Sequence, residues 1–383
     1  MPTDATASRG QIAFIVSEDW FFASHFLPLL RAAQDAGLRP IVITREHDHR
    51  GIIEKAGGRL IALNVERRSL NPLAFLFAVL RLATILRSEK IDLVHCIALR
   101  SILLGALAAT LAGVRPRFLA VTGGGFLSAD KSALTRVPAH ILRFFISKVI
   151  TNSQTHFVFE NVTDPLDYGL QPTASNVTIL GGAGVDPEYF VPSPLPQSSD
   201  LRIAMVSRML WSKGADTLVK AVELVRASGC DVRLSLYGAP DPSNPRAISM
   251  ETLKEWSRRD GIEWNGPIKD VRQVWKMHHV ACLPSRGGEG LPRTILEAAA
   301  CGRCLLVTDV PGCRDFVRNG REGWLVPVGD VERLAELIRT LFNDREQIRS
   351  AGRRARERVL AGFTEDHIVR TVKAMYEAAL LSK

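Results

Sequence analysis

The sequence predicts an α/β protein of two domains, each built on a parallel β-sheet, and three observations carry that expectation. The chain has 383 residues, and a prior of about 150 residues per domain gives two cores rather than one. Short apolar runs of strand length alternate with stretches of helical spacing, as in a parallel sheet covered on both faces. The alternation stops at 191–200, VPSPLPQSSD, a proline- and serine-rich stretch that reads as a linker, and then resumes.

Residues 12–17 form the first apolar run, residues 26–36 have helical spacing ending at Gly37, and residues 40–44 again suit a strand. Ser17-Glu18-Asp19-Trp20 reads as the loop after the first strand, and His25 as a residue at a helix start. The series continues with a strand within 91–97, a helix over 99–112 stopped by Gly113, and a strand over 118–122. Beyond the linker, 201–207, 232–237, 281–284 and 305–308 read as strands, with a helix over 215–226. The expected division is therefore an N-terminal domain over 1–190, a linker over 191–200 and a C-terminal domain over 201–364. The helical tail is longer than the second domain needs, so 365–383 are expected to pack back on the first.

Hydrophobic residues at 46% and charged residues at 23% are ordinary for a globular chain and exclude a disordered or collagen-like one. A net charge of +9 points to an anionic partner. Zinc-finger spacing, the signature of an RNA-binding sheet and a long basic tail are all missing, which disfavours nucleic acid. Six cysteines without regular spacing suit a reducing compartment, and Cys301 and Cys304, though spaced as C-x-x-C, read as a helix end passing into a strand. Residues 1–9 lack the apolar run of a signal peptide, and no uncharged apolar stretch reaches 18 residues. A cytoplasmic protein that touches a membrane only from its surface is expected.

Ligands in open parallel sheets bind beyond the carboxyl ends of the strands, so motifs that follow strands are the ones to weigh. Two facing domains would put such a site in the cleft between them. In LPSRGGEGLPRTILEAAA, over 283–300, a buried strand runs into a glycine-rich loop and then a helix with Pro292 at its first position. Amides of Gly288, Gly290 and Leu291 at that helix start suit an anion such as a diphosphate. Glu297 lies about 7.5 Å along the helix axis while Glu289 stays in the loop, so the two carboxylates can accept hydrogen bonds from hydroxyls at different parts of one extended ligand. Ser207 and Arg208 end the first strand of the C-terminal half, and Lys213 follows five residues later, placing two cations where they can neutralise a diphosphate.

The set Arg208, Lys213, Glu289 and Glu297, with the two acids eight positions apart, resembles that of the retaining family-4 glycosyltransferases of the GT-B fold. The surrounding words EGLPRTILEAAACG and TDVPGCRDFVRNGREGWLVP are similar too, and the resemblance spans nearly the whole chain. It implies two Rossmann-like domains with parallel sheets facing across a cleft. It also implies that Arg208 and Lys213 bind the donor diphosphate, that Glu297 binds the nucleotide ribose, and that Glu289 contacts the transferred sugar. EDWFFASHFLPLLRAA at 18–33 and GGAGVD at 181–186 are similar to bacterial enzymes that build surface polysaccharides on a polyprenyl lipid.

The resemblance implies transfer of a hexose or N-acetylhexosamine, with retention, from a nucleotide sugar, UDP being the commonest carrier. Acceptors would be saccharides, including ones linked to polyprenyl diphosphate. No Asp-x-Asp occurs, consistent with an enzyme that uses no metal or other cofactor.

Two departures stand out. The loop after the first strand has no glycine, and the histidine that many members carry after a middle N-terminal strand is replaced by Thr122-Gly123-Gly124. Amides of Gly123 and Gly124 could serve the donor, while His25, Glu18 and Thr122 are candidates for the acceptor side. His47-Asp48-His49 offers few ligands for a metal and reads as a solvated loop.

Residues 67–88 and 131–159 contain no Asp or Glu and mix cations with Leu, Phe and Ile, which suits either ordinary core helices or a surface against anionic lipid. Two readings from other classes share much of this pattern. A sugar-nucleotide epimerase would convert the donor alone, and a non-catalytic saccharide- or lipid-binding protein would tolerate loss of Glu289 and Lys213.

Overall fold

The computed structural model describes residues 10–63, 71–123, 146, 150–242 and 244–381. The chain folds into two compact units, Met1–Ala183 together with Glu365–Lys383, and Gly184–Thr364.

The first unit carries strands β1 (Gly10–Glu18), β2 (Leu38–Arg45), β3 (Arg59–Ala62), β4 (Leu93–Ile97), β5 (Arg117–Val121), β6 (Thr155–Phe159) and β7 (Val177–Ile179), all parallel in the order β3-β2-β1-β4-β5-β6-β7. Every residue of β4 and β5 is buried, which is why these strands, His95 and Arg117 apart, read as apolar runs rather than as an alternation. The strand period of two divides β1 between two cores. Ile12, Phe14 and Val16 join one face with the helix Leu27–Asp35, and Ala13 and Ile15 join the other with the helices Pro72–Ser88 and Leu99–Ala112. The last of these ends on Gly113 at φ 79°, a left-handed cap that glycine adopts without strain.

The second unit carries β8 (Leu201–Val206), β9 (Val232–Tyr237), β10 (Ile262–Gly266), β11 (Val280–Leu283), β12 (Cys304–Thr308) and β13 (Gly323–Val326), parallel in the order β10-β9-β8-β11-β12-β13. Both sheets are doubly wound. Strand order reverses between β1 and β4 in the first and between β8 and β11 in the second, and ligands of such sheets bind at that reversal, beyond the carboxyl ends.

Two local expectations need correction. Ser17 and Glu18 belong to β1, and Asp19 and Trp20 open a helix, Asp19–His25, so no loop intervenes. Its cause is Asp19, whose fully buried carboxylate accepts hydrogen bonds from the backbone N–H of Trp20 at 2.6 Å, His47 at 2.7 Å and His49 at 3.1 Å. His25 therefore ends a helix, and the next one starts at Leu27 with Pro28 in its first turn.

The division between units falls at Ala183 and Gly184, upstream of the proline-rich stretch. Val185 and Phe190 are buried in the second core, and the Val185 N–H donates to Phe363 O at 3.1 Å. The stretch 191–200 is pinned as well: the guanidinium of the fully buried Arg303 donates to Ser193 O at 2.7 Å.

The helix Glu365–Leu381 contributes Ile368, Val369, Val372 and Tyr376 to the core of the first unit. There the Tyr376 hydroxyl lies 2.6 Å from Nδ1 of the buried His95 on β4, whose Nε2 has no partner. Five of the six cysteines are buried, Cys301 and Cys304 among them, and all are free thiols.

Candidate active site

The second unit assembles its site at the reversal point. Ser207 and Arg208 leave the end of β8, and the residues after β11 form the loop that contains Glu289. That loop is laced to 211–216. Arg286 N–H donates to Ser212 O at 2.7 Å, while the Arg286 guanidinium donates to Trp211 O at 3.0 Å and to Asp216 Oδ2 at 2.5 Å. Thr308, at the end of β12, donates its hydroxyl to Ser285 O at 2.5 Å.

Two glycines make this approach possible. Gly214 sits at φ 77°, and a Cβ there would lie 2.0 Å from Pro284 O. At Gly312 a Cβ would lie 1.4 Å from Gly290 O, so the TDVPG segment holds the loop from its other side.

Within this frame Lys213 Nζ donates to Glu289 Oε1 at 2.5 Å, and Ser285 Oγ donates to the same oxygen at 2.6 Å. Both charges are largely buried, with 16% and 11% of the side chain exposed. Burial alone would raise the Glu289 carboxyl, but the Lys213 charge and hydrogen bond, with Ser285 and the charge of Arg208, more than offset it and leave it lowered. Glu289 is therefore a fixed anion with hydrogen-bond acceptor capacity to spare. Arg208 is 48% exposed and donates to Asp241 Oδ2 at 3.0 Å. Ser207 turns its hydroxyl to Arg208 O at 3.1 Å.

The helix that follows is Arg293–Ala300, and Pro292 is its N-cap, at φ −63° and ψ 120°, rather than its first residue. The extended ψ keeps Pro292 just outside the helix. Gly290, Leu291 and Pro292 are buried, while Gly287 and Gly288 both take positive φ. In the first turn Thr294 Oγ1 is buried without a hydrogen-bond partner, an unused donor at the positive end of a helix. Glu297 accepts from Arg293 Nε at 2.9 Å, yet burial outweighs that cation and pushes its carboxyl up.

The geometry thus joins Lys213 to Glu289 directly and brings Arg208 within electrostatic reach of them. Sequence reasoning missed Ser285, Arg286 and Asp216, which hold the loop, and Thr294. The signal was the position of Ser285 and Arg286 immediately after a buried strand.

In the first unit, His25 and Thr122 line one pocket together with His95, Glu160 and Gly182. His25 Nδ1 lies 2.6 Å from Ser24 Oγ. Glu18 is apart from that group: its Oε2 is 2.9 Å from His47 Nε2, so His47 is paired rather than simply solvated. Gly123 takes φ 87°. Gly124 lies outside the described residues, as do residues 142–145 and 147–148. No cluster of three or more His, Cys, Asp or Glu that could hold a metal occurs among the described residues.

Residues 11–153 match the family model described as glycosyl transferase 4-like, and residues 200–344 match the one described as glycosyl transferases group 1. The chain is a glycosyltransferase of this family. The N,N'-diacetylbacillosaminyl-diphospho-undecaprenol alpha-1,3-N-acetylgalactosaminyltransferase of Campylobacter jejuni is 24% identical to this glycosyltransferase over 375 residues, covering 93% of the chain and 96% of that protein. The capsular polysaccharide biosynthesis glycosyltransferase CapM of Staphylococcus aureus is 26% identical over 178 residues, covering 46% of each chain. Among solved structures, Anabaena HepE in complex with UDP-glucose superposes with a TM-score of 0.78 at 16% identity, over 96% of this chain and all of that one. That likeness makes the fold GT-B.

Proposed function

We propose that this glycosyltransferase moves a hexose or N-acetylhexosamine, with retention of anomeric configuration, from a UDP-sugar to a saccharide acceptor carried on polyprenyl diphosphate. The reaction serves surface polysaccharide assembly at the inner face of the membrane, to which the protein attaches peripherally, and uses no metal. What carries the reading is the contact between Lys213 and Glu289 at the reversal point of the second sheet. An ammonium suited to a diphosphate and a carboxylate suited to sugar hydroxyls meet there in one largely buried pair.

In this reading Arg208 and Lys213 neutralise the departing diphosphate, the largest electrostatic service such a transfer needs. Thr294 and the amides of Gly288, Gly290 and Leu291, capped by Pro292, bind its oxygens, and Ser207 borders it. Glu297 accepts from the ribose hydroxyls and Glu289 from the transferred sugar. The bond between the anomeric carbon and the diphosphate oxygen breaks while the acceptor oxygen bonds on the same face. The acceptor proton passes to the leaving phosphate. His25 and Thr122, with Glu18 at the end of β1, serve the acceptor side, and the amide of Gly123 serves the donor.

The diphospho-undecaprenol-linked acceptor of the Campylobacter relative supports the acceptor class, the capsular role of the Staphylococcus relative supports surface polysaccharide assembly, and the UDP-glucose complex of HepE supports the donor. The test is a thermal-shift screen of nucleotide sugars against the full chain. A UDP-sugar at 100 times its Kd stabilises the folded state by about 2.7 kcal/mol, a shift that Lys213→Ala abolishes. A flat profile across all nucleotide sugars would defeat the reading.

A further inference from the structure

No helix among the described residues is long and apolar enough to cross a membrane, whereas a surface suited to lie against one is present. One helix offers it. Pro72–Ser88 begins on Asn71, whose side chain caps the N–H groups of Leu73 and Ala74, and one face of it, Ala78, Val79, Leu82, Ala83 and Leu86, is buried. The opposite face is unusually apolar. Leu73 is 64% exposed, Leu76 52%, Phe77 68% and Leu80 47%. Their spacing of i, i+3, i+4 and i+7 aligns them in one stripe about 10 Å long. Single exposed leucines are common, whereas four large apolar side chains in register on one helix make a patch.

The charge beside the stripe selects its partner. Arg81, four residues beyond Phe77, lies beside it at the edge of the stripe, is exposed, and has no ion pair among the described residues. Arg87 lies two turns further along and donates to Leu111 O, and Leu111 is itself exposed. No Asp or Glu occurs from 67 to 88, so nothing on this helix repels an anionic surface. Apolar side chains flanked by arginines on a fixed helix match the boundary of a bilayer rich in anionic headgroups.

We infer that the face Leu73, Leu76, Phe77, Leu80 and Arg81 is the element by which the glycosyltransferase docks on an anionic lipid bilayer. The inference deepens the reading of a lipid-linked acceptor, yet its readout is independent of any sugar. The buried face anchors the helix to the first unit, so docking requires no refolding of the stripe.

The test is flotation of the full chain with vesicles of phosphatidylcholine alone or with phosphatidylglycerol. The expected result is flotation with the anionic vesicles, weakening as salt is raised. Leu76→Ser with Phe77→Ser lowers the floated fraction at least tenfold, and Arg81→Glu lowers it for anionic vesicles. Both variants keep the wild-type melting temperature and nucleotide-sugar shift, which separates failure of docking from failure of the donor site. Absence of flotation with anionic vesicles, or equal flotation of the Ser variant, would overturn the inference. So would a dimer in sedimentation that the Ser variant dissociates, since the stripe would then be a protein interface.

Discussion

Lys213 and Glu289, 76 residues apart in the chain, meet at 2.5 Å with Ser285 on the same carboxylate oxygen. Because the pair is largely buried, the two charges depend on each other more than either depends on solvent.

Lys213→Met leaves the Glu289 carboxylate without its counter-charge and costs about 3 kcal/mol of stability. Removing both charges in Lys213→Met with Glu289→Gln costs less than the sum of the single changes. Urea midpoints of the four proteins measure this, and additivity within about 0.5 kcal/mol would refute the coupling.

Arg208, half exposed and paired with Asp241, contributes little to folding. Arg208→Ala is expected to change stability by less than about 1 kcal/mol while lowering kcat/KM by about a hundredfold. Paired urea and steady-state measurements separate the two effects.

Gly214→Ala puts a methyl group against Pro284 O in a backbone conformation that alanine resists. A loss of at least about 1 kcal/mol follows, together with weaker donor binding, because the strained segment includes Lys213. Urea denaturation and the thermal shift with a UDP-sugar check both; unchanged values would show that the approach of these loops is loose.

Burial, reinforced by nearby His156, pushes His95 down to about 3, so in the folded state it stays neutral where the unfolded chain takes up a proton. The unfolded state therefore binds more protons between about pH 6.5 and pH 3, and stability falls as pH is lowered through that window. From pH 7 to pH 5 this amounts to about 2 kcal/mol. His95→Gln removes that share, so its urea midpoint should decline less over the same interval, with the remainder due to other buried histidines. Parallel slopes for the two proteins would contradict this origin.

Much of the architecture is legible in local pattern. The helix Leu99–Ala112 and its Gly113 stop follow from spacing and one glycine, and β9 coincides with its apolar run. The helix Asp19–His25 was hidden because its cause is distant: Asp19 looks like a loop residue until the N–H groups of His47 and His49 arrive to bind it. Pro292 shows the ordinary one-residue ambiguity of a helix start.

For the site, the acids and cations stood out by type and spacing. Their supports did not, since Arg286 becomes meaningful only when Asp216 lies beside it. Short strands such as β3 and β7 carry too few residues for a period to show.

Tyr376 and its neighbours complete a core whose other members begin at Ile12. During synthesis, the unit made second is contiguous and has all its residues once Thr364 has left the ribosome, whereas the one made first must wait for the final helix. Maturation should thus run against the order of translation, with the nascent amino-terminal half held open longest and most in need of chaperone cover.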